Sequence, residues 1–331
     1  MKLATYVVGG RESFGVLTDR GIIDCPSLDP KGPQGLLAAL QAGPEAIRRI
    51  GALVSGKAGR PGQFREPGEG TLKVAPLESV KLLAPIPAPP KIVALAGNYV
   101  KHIKELNKGR GLSDRPQRDT TPRPFLKPAT TVAGHGAEIP WPPYSRQIDY
   151  EIELGIVMGA PARGVSPDQA KDRIAGYTIV NDVSARSCTF AQGRAKRPWD
   201  EFYDWLAGKW ADGFCPMGPW LVTADEVGDP RRLGLELTVN GQVRQKASTA
   251  EMIFDVYEIV SFLSQIMTLT PGDVIATGTP SGVAMATGNF LQAGDAITCR
   301  IERIGELTNR LGSPPAAFYA PCEGQAPNNG H

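Results

Sequence analysis

Short apolar or alternating runs, separated by turn-forming residues, recur along most of this chain and predict strands. Such runs are KIVALAG at 91–97, the segment 148–158, AGYTIVND at 175–182, GPWLVTA at 218–224, GLELTVN at 234–240, GDVIATG at 272–278 and DAITCRIERIGEL at 295–307. Upstream, KLATYVVGG and SFGVLTDRGIIDC predict two short strands with a turn at Asp19-Arg20-Gly21, and VKLLAPI predicts another near residue 80. Asn240-Gly241 is a two-residue hairpin signal.

Helical spacing is rarer. PQGLLAALQAGPEAIRRIGALVSG carries it but is broken at Gly43-Pro44, which predicts two short helices. One long helix is expected after the Ser248/Glu251 capping-box pattern, with Ile253, Val256, Ile259, Val260, Leu263 and Met267 as its apolar stripe. So many strands around one long helix predict an α+β, mainly β fold rather than a doubly wound one. The polar, Gly/Pro-rich stretch after the first helices suggests a small N-terminal α+β domain over 1–78. A catalytic domain over 79–310 and a tail over 311–331 complete the expected organisation.

Composition narrows the function. With 41% hydrophobic residues the chain can build a sizeable core, and a net charge of +2 argues against nucleic acid as a partner. No apolar run approaches eighteen residues and the first residues lack a signal-peptide pattern, so no membrane is expected. Five cysteines, odd in number and without CxxC spacing, read as reduced thiols of a cytoplasmic protein.

The candidate chemistry begins at DYEIELGIVMG, 149–159. Period two puts Asp149, Glu151 and Glu153 on one face, and the following GIVMG is apolar on both, so the strand is expected to run into the interior. Two like charges about 6 Å apart cost on the order of 1–3 kcal/mol at an effective dielectric near 20, and a divalent cation removes that cost. A solvated acidic edge strand has the same spacing, and for Asp149 alone it is the simpler reading. Asp182, where AGYTIVND ends, adds a third oxygen donor beside Glu151 and Glu153, although Asp there also suits a turn. Oxygen donors without His or Cys favour Mg²⁺, then Mn²⁺ or Ca²⁺. Elsewhere, His102 and Glu105 stand three apart on a predicted helical turn, the arrangement of a water-activating pair, or equally of an exposed helix face.

Four motifs in order, DYEIELGIVMG, NDVSAR, GKWADGFCPMGPWLV and ATGTPSGV, resemble the fumarylacetoacetate hydrolase family over roughly 80–305. The resemblance implies a mixed β-roll, a cation held by Glu151, Glu153 and Asp182, and a homodimer. It implies action on small β-diketo or 2-oxo acids: hydrolytic C–C cleavage of an acylpyruvate-like substrate, with decarboxylation, isomerisation or dehydration as the alternative chemistries. It makes His102, Glu105 and Lys209 catalytic and gives Arg186, Lys209 and Thr279 to substrate binding. Lys127, in PFLKP, matches the pattern without an assigned role. The segment 106–124 is expected to form part of a lid. The chain departs from the family at Ser187, where Asp is usual, at Thr189, where Gln is common, and in the order Ala96-Gly97-Asn98-Tyr99.

Overall fold

The computed structural model describes residues 1–58, 74–106 and 120–321. In chain order the elements that frame the site are β1 (Lys2–Val8), β2 (Arg11–Thr18), β3 (Gly21–Asp24), α1 (Leu36–Gln41), α2 (Pro44–Ala58), β4 (Ile92–Leu95), α3 (Val100–Leu106), β5 (Pro124–Lys127), β6 (Ser145–Asp149), β7 (Ile152–Met158) and β8 (Ile174–Asn181). They continue with β9 (Ser184–Cys188), α4 (Asp200–Ala207), β10 (Cys215–Thr223), β11 (Gly234–Val239), β12 (Gln242–Ser248), α5 (Val256–Ile266), β13 (Val274–Ala276), α6 (Ala284–Thr287), β14 (Ala296–Ile301) and β15 (Gly305–Leu311).

Mixed sheets dominate, as expected for an α+β, mainly β chain. The largest, of twelve described strands, runs β3-β2-β1-β10-β8-β7-β13-β4-β5 through its middle. Its pairs are antiparallel except β13 with β4 and an outlying parallel pair at Cys215. A second sheet, β12-β11-β14-β15, packs against it, and β6 pairs with β9 alone. The first strands enter the large sheet where Lys2 and Leu3 pair with Val222 and Leu221.

Strand β7 is buried at every residue because both its faces are covered. Ile152, Leu154 and Ile156 pack with Leu235, Leu237, Ile297 and the buried stripe of α5. Val157 packs on the other side with Leu3, Phe14, Val16, Leu36 and Ile50. The double-sided apolar pattern after Glu153 was therefore a true sign of the interior.

Four local expectations need correction. The N-terminal pattern makes three strands, because Gly9 and Gly10, both at positive φ, turn the chain between β1 and β2. VKLLAPI yields a strand of only Lys81–Leu82. DAITCRIERIGEL is a hairpin: Arg303 takes the left-handed conformation (φ 64) and the Trp220 indole N–H holds Ile304 O at 2.7 Å. The box at Ser248 and Glu251 exists, but it caps only the 3₁₀ turn Thr249–Glu251. Asn98 pins the amides of Ile253 and Phe254 just beyond it, so α5 starts afresh at a second box, Asp255 with Glu258. Ile253 thus lies outside the helix.

The pattern also departs from expectation beside the acids. The segment 148–158 is two strands, β6 and β7, with separate partners. Three consecutive amides at the break donate to side-chain oxygens instead of a neighbouring strand. Tyr150 N–H goes to Asp149 Oδ1 (2.8 Å), Glu151 N–H to Asn181 Oδ1 (2.9 Å) and Ile152 N–H to Gln245 Oε1 (3.0 Å). Side chains that satisfy buried amides let a strand stop without leaving unpaired donors.

Candidate active site

The three candidate metal acids come from neighbouring strands. Ile152 pairs with Asn181, so Glu151 and Glu153 flank the level at which β8 ends, just before Asp182, and Asp182 N–H donates to Glu151 O at 2.8 Å. One carboxylate oxygen from each of Glu151, Glu153 and Asp182 lies within 4.8 Å of the others, and all three residues are buried. Asp149 is not among them. The break turns it to the start of α6, where Ala284 and Met285 N–H donate to it at 2.6 and 3.1 Å. It is fully buried, not a solvated edge acid.

Cations from distant segments answer these acids. Lys209 Nζ donates to Glu151 Oε2 and Asp182 Oδ2, both at 2.7 Å. Lys127 Nζ reaches Asp182 Oδ1 at 2.5 Å and Lys209 O at 2.6 Å. Arg186 binds Asp149 Oδ2 through Nε and Nη2 at 3.1 and 3.0 Å, and Nη2 also binds Glu151. Its Nη1 has no protein partner among the described residues. Four acids against three cations leave one uncompensated negative charge in the buried cluster.

Glu153 is the acid of the four with no salt-bridge partner among the described residues. Burial, then Asp182 and Glu151, push its carboxyl well above the usual range, and its hydrogen bond is to the Gly278 amide (2.7 Å). Burial acts the same way on Glu151, but Lys209 and Arg186 outweigh it and hold that group at about 2. Lys209 is raised despite burial, because Asp182 and Glu151 favour its charge. A buried set of clustered oxygen donors with net negative charge fits a hard divalent cation.

The His102–Glu105 pair forms on α3. His102 is buried, with Nδ1 3.0 Å from Glu105 Oε1. Gly282 N–H donates to both Glu105 oxygens at 3.1 and 2.9 Å. A carboxylate on Nδ1 fixes the proton there and leaves Nε2 as the basic nitrogen. Nε2 makes no protein hydrogen bond among the described residues, and His102 lies near enough to help lower Glu151. Thr279 is buried, and its Oγ1 accepts from Gln245 Nε2 at 2.8 Å. Phe125 and Trp205 form an aromatic wall, each ring 5.8 Å from Lys209 Nζ. Of the expected lid segment, 107–119 lie outside the described residues.

Sequence reasoning passed over Lys127 as a charge partner, and it missed Gln245, Asn98 and the amides of Gly278 and Gly282. PFLKP marked Lys127 by resemblance. The glycines of GTPSG signalled a turn, without showing which carboxylates their amides would meet.

A mixed β-roll whose centre gathers these acids beside a His–Glu pair defines a class of enzyme. The chain belongs to the fumarylacetoacetate hydrolase family: the profile of the fumarylacetoacetate (FAA) hydrolase C-terminal region matches residues 91–312, a span that holds every site residue above. The human protein named oxaloacetate tautomerase FAHD2A, mitochondrial, is 37% identical over 262 residues, 75% of this chain and 78% of that one. Maleylpyruvate hydrolase from Sphingobium sp. SYK-6, solved in complex with manganese(II) ion and pyruvate, is 30% identical with a TM-score of 0.71 over 95% of this chain and 100% of that one. A 2-hydroxyhepta-2,4-diene-1,7-dioate isomerase from Mycobacterium marinum is 32% identical with a TM-score of 0.64 over 95% and 98%. Among the described residues no helix is long and apolar enough to cross a membrane.

Proposed function

We propose that this protein is a divalent-cation-dependent hydrolase that cleaves a C–C bond in a small β-diketo or 2-oxo acid of the acylpyruvate type. One observation carries the reading: a single turn, 278–282, binds Glu153 through one amide and Glu105 through another. It thereby joins a cation-fitting acid cluster to a proton-accepting pair. Held by Glu151, Glu153 and Asp182, a cation such as Mg²⁺ or Mn²⁺ supplies Lewis acidity toward the 2-oxo and carboxylate oxygens.

The chain's own groups supply the rest. His102 Nε2 takes a proton from water, and Glu105 stabilises the imidazolium. The water oxygen bonds to the distal carbonyl carbon. The C–C bond breaks with its electron pair on the 2-oxo fragment, and that carbon regains the proton from His102. Lys209, and Arg186 through Nη1, offset the charge that develops. The Thr279 hydroxyl donates to the substrate carboxylate.

A second reading keeps the same groups but moves only a proton, making the enzyme a tautomerase. The 37% identity to a protein of that name favours it. A panel of acylpyruvates, oxaloacetate and 2-keto-3-deoxy sugar acids, assayed with Mg²⁺, separates the two. Release of two fragments supports the hydrolase. Enol–keto interconversion of oxaloacetate without fragments supports the tautomerase. No turnover of any of them, with no divalent-ion binding by calorimetry, sinks both.

A further inference from the structure

Gln245 stands on β12, in the second sheet, yet its side chain reaches into the site and is 1% exposed. All of its polar positions are used for structure. Oε1 accepts Ile152 N–H, which can only donate; the two Nε2 hydrogens go to Pro280 O and Thr279 Oγ1, both at 2.8 Å. These partners fix which end of the amide is oxygen. One side chain therefore ties the break before β7 to the middle of the 278–282 turn.

The turn is pressed into place at both ends. Gly278 has φ +93, and a Cβ there would meet Asn98 Cβ at 2.8 Å. Gly282 has φ +105, and a Cβ there would collide with Arg244 O, the residue beside Gln245. Between them, the Thr279 hydroxyl already accepts from Gln245, and its own proton has no acceptor among the described residues. A buried hydroxyl in that state has a donor to offer a ligand.

We infer that Gln245 is a positioning residue: by pegging the 278–282 turn it sets the spacing of Glu153 and Glu105 and aims the Thr279 O–H at the substrate. The kinetic arm of its test rests on the function proposed above; the structural arm does not.

The structural arm uses the full chain without added metal and follows amide hydrogen exchange in Q245M. The Ile152, Gly278 and Gly282 amides should lose at least about tenfold protection while α5 keeps its own. Unchanged protection at Gly278 and Gly282 overturns the peg. The kinetic arm compares Q245E, T279V, T279S and the Q245E/T279V double variant on the best substrate of the panel, with Mg²⁺. In Q245E the introduced carboxylate takes the Thr279 proton for itself. Q245E and T279V should each raise KM about tenfold, the scale of one hydrogen bond to a charged group, with kcat within about threefold. The double variant should be no worse than either single one, and T279S, which keeps the hydroxyl, should recover most of the KM that T279V loses. Losses that multiply in the double variant, or a fall in kcat at unchanged KM, overturn the aiming role. Should Q245E or Q245M fail to fold, T279V against T279S decides the aim: equal KM values refute it. A wild type without oxo-acid turnover refutes the proposed function, and the exchange result then decides the peg alone.

Discussion

Replacing Glu153 with Gln separates the acid cluster's proposed metal role from its structural role. The candidate ligand oxygens lie within 4.8 Å of one another, so each ionised pair repels by about 3.5 kcal/mol or more at an effective dielectric near 20. Glu153 faces two such neighbours, and burial with their charge pushes its carboxyl well above the usual range, toward the neutral form. Gln is close in shape to that neutral form, and its amide oxygen can still accept from Gly278 N–H. Metal-free E153Q should therefore match wild type within about 1 kcal/mol in urea unfolding. Cation binding should suffer, because losing an anionic ligand worth about 3 kcal/mol weakens affinity roughly a hundredfold. At a hundred times the wild-type Kd, Mg²⁺ stabilises wild type by about 2.7 kcal/mol, and E153Q by only about 0.4 kcal/mol. Paired unfolding curves with Mg²⁺ and with EDTA read both quantities. The reasoning is refuted if metal-free E153Q loses more than about 2 kcal/mol, or if Mg²⁺ stabilises it as fully as wild type.

Other substitutions probe the remaining groups. H102Q should lower kcat by about 10²–10⁴ while calorimetry shows unchanged Mg²⁺ affinity; full activity would disprove the proton-accepting role. K127M strips a buried partner from Asp182 and should cost about 3–5 kcal/mol in urea melts run in EDTA. G282A meets both a positive φ and Arg244 O, so it should destabilise well beyond G288A, whose φ is +80 in open space and whose cost is about 1–2 kcal/mol. His135 supplies a pH signature. Burial lowers it from its ordinary 6.5, and Nδ1 must stay unprotonated to accept Thr308 N–H at 3.2 Å. Its folded value is depressed, so its contribution is complete above pH 6.5 and is lost as pH falls through the folded value. H135N should flatten the decline of stability below pH 6.5, and an unaltered slope in thermal melts would discount this residue.

What the sequence disclosed depended on the range of the forces involved. Local patterns sufficed for the Asn240-Gly241 turn, with φ 50 and 77, and for the helix break at Gly43-Pro44. The two glutamates and Asp182 could be grouped because their spacing follows strand geometry and a family pattern. The break at Tyr150 was hidden, because Asn181 and Gln245 create it from 31 and 95 residues away in the chain, counted from Tyr150. The Ser248 box was read correctly as a cap but assigned to the wrong helix, since Asn98, in another segment, halts the turn it begins. Arg186 was expected to face substrate, and its Asp149 and Glu151 contacts depend on that same hidden break.

The acids and the histidine reach the centre on different carriers: the acids at the ends of two adjoining strands of the large sheet, the histidine on a seven-residue helix. A change confined to that helix would therefore redirect a proton while leaving the cluster of acids where it stands.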